Sequence, residues 1–192
     1  MVTSQEDFEN EQAEIVNTVK SKEGLGGVEA KWVKFNEELA CRVVKQYLKK
    51  HLPSRVRAIG PNVYIEGSPT ELDLLLVTEN AIPAAFTNAY RPNDVRFVVG
   101  IRNHGAAGRS FPPELLIEFE TLRERHADLK FAYLAIRVRN RADDVKGTPG
   151  ESHGKAVQSG YRAFYLAESQ NQEIISGQWQ QFVNHVTGNT TS

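Results

Sequence analysis

Glu71-Leu72-Asp73-Leu74-Leu75-Leu76-Val77 and Val95-Arg96-Phe97-Val98-Val99-Gly100-Ile101-Arg102-Asn103 are the two stretches whose reading decides the fold. Both are apolar segments that carry a few polar residues at alternating positions, the two-residue period of a β-strand. On the first, Glu71 and Asp73 share a face. On the second, Arg96, Val98, Gly100 and Arg102 point one way, and Val95, Phe97, Val99 and Ile101 the other. A carboxylate on so apolar a strand is costly to bury unless it is paired or bound to a metal. Asp73 therefore needs a partner, and Arg102 on the next strand is one candidate.

Outward from this pair, the apolar residues Trp32, Phe35, Leu39, Val43 and Tyr47 recur every three or four positions. That spacing predicts an amphipathic helix from Glu29 to Leu52, stopped by Pro53. Phe8, Ile15, Val16 and Val19 predict a short peripheral helix, followed by a hinge at Gly24-Leu25-Gly26-Gly27. A first strand is expected at Arg55 to Ile59, or at its continuation Val63 to Glu66, with Gly60-Pro61-Asn62 as a turn. Leu72 to Val77 and Val95 to Arg102 follow, separated by a connection long enough to act as a lid, a partner contact or an insertion. Pro112-Pro113 opens a helix carrying Leu115, Leu116, Phe119 and Leu122. Phe131 to Val138 is a strand, 140–159 an exposed loop, Arg162 to Ala167 the last strand and Gln178 to Val186 the last helix. Tight early turns imply antiparallel pairing, and the later helix between strands implies a parallel crossover, so the sheet is mixed.

The chain has 192 residues, 40% of them apolar and 24% charged, which suits a single soluble α/β domain. Its net charge of −1 excludes bulk attraction to nucleic acid, so any such binding must come from a local patch. No apolar run approaches the roughly 20 residues that span a bilayer, so no membrane partner is expected. The polar, acidic start and the single cysteine, Cys41, suggest an intracellular protein, cytoplasmic or nuclear.

The order α-β-β-β-α-β, with Glu71-Leu72-Asp73 opening the second strand and Val98-Val99-Gly100-Ile101-Arg102-Asn103-His104-Gly105 on the third, resembles the restriction-endonuclease-like, PD-(D/E)XK superfamily. The nuclease-related-domain and Holliday-junction-resolvase branches are the most similar. The resemblance covers Glu29 to about Val138. It implies residues 1–27 as a helical arm with its hinge, 28–187 as a nuclease-like domain with an αβββαβ mixed sheet flanked by helices, and 188–192 as a frayed tail. It also implies one or two Mg²⁺ ions between a strand-two Asp, a strand-three Glu and a main-chain carbonyl, with a Lys steadying charge as DNA is hydrolysed. Matched by position, Asp73 is the metal Asp, Gly100 stands where the Glu belongs, Arg102 replaces the Lys, and the Ile101 carbonyl is the main-chain ligand. The motif is thus degenerate.

Two substitutes for the missing oxygen are expected: Glu71 on the face of Asp73, and Glu114 or Glu118 on the following helix. Each also has an ordinary reading, Glu114 as a first-turn acid and Glu118 as a solvated helix residue. Glu38 or Glu29 matches a helix-one Glu of some relatives. His104, Arg109, Arg137, Arg139 and Lys155 are candidate phosphate contacts, although Arg137 and Arg139 also suit charge protection of an edge strand. Two functions stay open. One is a Mg²⁺-dependent hydrolase of DNA using Asp73, Arg102, Glu71 and Glu118. The other is an inactive nuclease-fold subunit that binds nucleic acid or protein, as a homodimer or within a larger assembly.

Overall fold

The computed structural model describes residues 3–23, 30–105, 111–138, 151–168 and 173–188. Five strands form one mixed sheet: β1 (Val56–Ile59), β3 (Leu74–Thr78), β5 (Val95–Gly105), β6 (Phe131–Val138) and β7 (Arg162–Glu168), in that spatial order. β1, β3 and β5 pair antiparallel, and β5, β6 and β7 parallel. Two short strands, β2 (Tyr64–Ile65) and β4 (Ala89–Tyr90), form a separate parallel pair. The mixed sheet expected from the turns and the crossover is therefore present.

Side-chain alternation splits the core into two layers. Leu74, Leu76, Phe97, Val99, Ile101, Leu134 and Phe164 meet helices α1 (Gln5–Glu23), α2 (Ala30–Leu48) and α5 (Gln178–Thr187) on one face. Leu75, Val77, Val98, Phe131, Tyr133 and Tyr165 meet α3 (Pro113–Arg125), α4 (Glu151–Gln158) and the small sheet on the other. β6 is buried along its whole length, as a strand covered on both faces should be.

Several expectations change. A bulge shifts the register so that Leu76 faces Phe97 while Val77 faces Val95. The extra residue moves Val95 into the layer of Val98, away from Phe97, and sets Arg96 apart from Gly100 and Arg102. Residues 151–158, expected in a loop, are helical, with Ala156 buried in the α3 layer. The N-terminal helix is longer than expected and docked: Ile15 and Val19 are wholly buried, and the buried Gln12 donates to the carbonyls of Leu166 and Ile175 at 2.7 and 2.8 Å. The connection after β3 is pinned along β2, where Glu66 N–H donates to the Tyr90 carbonyl at 2.9 Å. The expected hinge at 24–27, Glu29, the loop at 140–150 and the tail at 189–192 lie outside the described residues.

Candidate functional site

Asp73 sits at a bend, between an isolated bridge from Val63 to Leu72 and the start of β3. Its main chain is gripped from α2, where the Cys41 thiol donates to its carbonyl at 2.9 Å. Gly60 passes so close that a Cβ there would lie 2.2 Å from the same oxygen, at a φ of +151° that side chains rarely adopt. The carboxylate thus has little freedom, and it turns toward β5. Its Oδ2 accepts from the Ile101 N–H at 2.8 Å and from Arg102 Nη1 at 2.9 Å.

The Arg102 guanidinium makes two further contacts. Nη1 also donates to the Ile101 carbonyl at 3.1 Å, and Nε lies 3.5 Å from Glu37 Oε1 on α2. About a quarter of the Asp73 and Arg102 side chains reaches solvent, 26% and 25%. Burial works against the Arg102 charge, yet Asp73, Glu37 and Glu118 outweigh it and raise its pKa. Burial raises the carboxyl pKa of Asp73, Glu37 and Glu118, with Arg102 opposing in each case. One permanent cation therefore serves three crowded acids. Beside them the Tyr133 hydroxyl on β6 is buried and has no hydrogen-bond partner among the described residues.

Gly100 is explained by packing. A Cβ there would lie 2.7 Å from both methyl groups of Leu115, so α3 rests directly on the β5 backbone. A side chain at this position would first meet Leu115.

This arrangement does not fit a Mg²⁺ ion. A hard cation needs several oxygen ligands in near-octahedral array. Here the guanidinium already takes the Asp73 carboxylate and the Ile101 carbonyl, and Gly100 adds no oxygen. Among the described residues no three acid, histidine or cysteine side chains converge to hold a metal.

The other candidates disperse. Glu71 is exposed and accepts from the Tyr64 hydroxyl at 2.9 Å. Glu114 is exposed in the first turn of α3, whereas half-buried Glu118, one turn later, lies within electrostatic reach of Asp73 and Arg102. Arg137 is buried and donates to Asn103 Oδ1 at 3.3 Å. Because β6 is an inner strand, the edge-protection reading of Arg137 is corrected. Lys155 is exposed on α4 rather than on a loop. Arg109, Arg139 and the His104 side chain lie outside the described residues. Glu38, matched by position to a helix-one Glu but equally at home on a solvated helix face, faces Arg42 at 3.6 Å and accepts from Asn62 at 3.2 Å.

Glu37 and Tyr133 are missing from the sequence-based candidates. A signal for Glu37 exists: it precedes Cys41, Val44 and Leu48 on one helical stripe, and those three are buried. For Tyr133 the signal is the lone hydroxyl on the Phe131–Ala135 face of an apolar strand.

A second feature lies at the other end of β3. A cleft of about 1050 Å³ opens between Thr78, Val95 and Leu129, lined by the exposed cations Arg55, Arg96, Arg125 and Lys130. Among the described residues, Glu79 and Asp128 are its only carboxylates.

No protein-family model matches the sequence, and no curated protein does. Among solved structures, NucC from P. aeruginosa ATCC27853 and NucC from E. coli MS115-1, both in a cAAA-bound form, each align with a TM-score of 0.59 at 10% identity. The alignments cover 100% of this chain and 93% of theirs. The fold is restriction-endonuclease-like. At this identity the likeness concerns the fold alone, and the chemistry has to be argued from the residues of this chain.

Proposed function

We propose that this chain is a nuclease-fold protein that has lost phosphodiester hydrolysis and binds a phosphate-bearing oligonucleotide instead. The observation that carries the first half is the Arg102 guanidinium seated on Asp73 and on the Ile101 carbonyl. An arginine stays protonated at any working pH, so it cannot act as a base toward water. With the guanidinium on Asp73 and on the Ile101 carbonyl, and Leu115 over Gly100, the described residues supply no carboxylate set to hold a metal that would acidify water or polarise phosphate.

The cleft supports the second half. Four cations against two carboxylates, in a chain whose net charge is −1, are the local patch that oligoanion binding requires. The solved neighbours carry cAAA, which makes that molecule a rational probe beside single-stranded DNA.

The test has two arms. Plasmid DNA and single-stranded RNA incubated with Mg²⁺ or Mn²⁺ should remain intact with wild type and with Asp73→Ala alike. Cutting by wild type that Asp73→Ala abolishes would overturn the loss of hydrolysis. In the other arm, fluorescence anisotropy should show labelled cAAA or single-stranded DNA binding in a salt-sensitive way. Arg96→Glu with Lys130→Glu should weaken it by about tenfold or more, since each phosphate contact contributes to the salt-dependent affinity. No binding of either probe by wild type would remove the proposed ligand class.

A further inference from the structure

Resting on the oligonucleotide reading above, we infer that Phe86 is a stacking platform for an unpaired nucleobase, so that the cleft takes a single strand rather than a duplex. The segment after β3 leaves the cleft wall at Asn80 and rejoins it at Pro92. Phe86 lies midway, six residues from each, and six residues reach at most about 20 Å. Its ring stands wholly in solvent, at 107% relative exposure, and Ile82 on the same segment is 77% exposed.

Two features separate Phe86 from an aromatic left outside by chance. Its φ is +63°, in the left-handed region that bulky side chains rarely adopt. The segment also holds that conformation in place. The Ala84 N–H donates to the Ala89 carbonyl at 2.8 Å, and the Thr87 N–H and hydroxyl both donate to the Ala84 carbonyl at 3.0 Å. At the base, Ala81 is buried and its carbonyl accepts from Arg57. A strained backbone that presents a ring to water marks a contact surface.

The chemistry of the surroundings names the partner. No charged residue lies from Asn80 to Tyr90, and the exposed Arg91 follows directly. An uncharged aromatic tip bordering a cationic cleft is the combination that single strands use: cations for the phosphates, a ring face for a base. A duplex keeps its bases stacked inside and leaves the ring nothing to cover. Two apolar side chains fall far below the roughly 800 Å² per partner of a stable protein interface, but they match one base.

The experiment follows the anisotropy of a labelled single-stranded DNA, an abasic strand of equal length and charge, and the matching duplex. Each is titrated with wild type, Phe86→Ala and Phe86→Gly. Wild type should prefer the base-bearing strand to the abasic one and to the duplex by about fivefold or more, the worth of one stacked base. Both variants should bind the two single strands alike, with the salt dependence of wild type, because no phosphate contact has gone. Glycine tolerates the φ of this position, so Phe86→Gly should melt no lower than Phe86→Ala. Equal loss of the preference in the two then separates stacking from a fold defect. Wild type that binds both single strands alike, or variants that keep its preference, overturns the inference and leaves anion binding by the cleft standing. Wild type that binds no strand overturns the proposed ligand class and this inference with it. If Phe86→Ala leaves strand binding unchanged but abolishes self-association or binding to phosphatidylserine vesicles, the ring belongs to a second copy or a lipid surface, and the inference is overturned.

Discussion

At the scale of single residues, the centre is governed by three side chains around Asp73: Arg102, Leu115 and Glu37. That Asp73 needs a partner, and that Arg102 is near enough to be one, was legible because strand alternation fixes which residues share a face. The reason for Gly100 was not legible, because it lies in Leu115, on another element. Gly100→Ala should cost about 1–3 kcal/mol by overpacking, read from urea unfolding. Adding Leu115→Ala should recover part of that cost, a coupling that a double-mutant cycle measures directly. Gly100→Glu with Arg102→Lys alone should give a destabilised protein, with ion binding appearing only when Leu115 is also shortened. Glu37 escaped notice because the helix was read from its large apolar residues. The buried stripe is instead centred on the small ones, Ala40 and Cys41, while Phe35 is 47% exposed.

At the scale of elements, α1 departs most from its sequence-based description. Its apolar residues were identified, but how deeply it docks depends on polar groups with no periodic signature. Gln12 donates to two carbonyls, and its Oε1 accepts from the Trp179 N–H at 2.9 Å, tying α1 to β7 and α5. Gln12→Leu should cost about 1–3 kcal/mol, because it strands the Trp179 N–H, while the Leu166 and Ile175 carbonyls keep the N–H groups of Ile175 and Gln178. Glu11 accepts from Trp179 Nε1 at 2.9 Å, and its two oxygens also meet His51 at 2.6 Å and Lys50 at 3.1 Å. Burial works to raise the Glu11 pKa, but the His51, Trp179 and Lys50 contacts outweigh it and hold it below its ordinary 4.5. A depressed carboxyl pKa stabilises the fold fully above the unfolded value, and that contribution is lost as pH falls through the folded one. Glu11→Gln should therefore lower stability at neutral pH and flatten the loss of stability below about pH 4.5, checked by denaturation across an acid series. Helix α4 was missed for a related reason: Gly and Ser at 152–154 read as loop residues, whereas among its described side chains Ala156 is the one that is buried.

At the scale of the whole molecule, the closed centre and the cationic cleft sit at opposite ends of β3, about 17 Å apart at the usual rise per residue. The near-neutral charge implies that any anion site must be local. It could not indicate where, since Arg55, Arg96, Arg125 and Lys130 come from four segments that only the folded sheet brings together. Substitutions at the two ends should act independently: Lys130→Glu combined with Arg102→Met should show additive changes in unfolding free energy, within about 0.5 kcal/mol. One further consequence follows from the grip of α2 on Asp73. Cys41 is the chain's only sulfhydryl, buried, with burial pushing its pKa up to about 12, so a thiol reagent meets almost no reactive form while α2 stays seated. The rate at which a colorimetric disulfide such as Ellman's reagent labels the unmodified protein is then a stopwatch on local breathing of the polar centre, readable without a fluorophore, a mutation or a substrate.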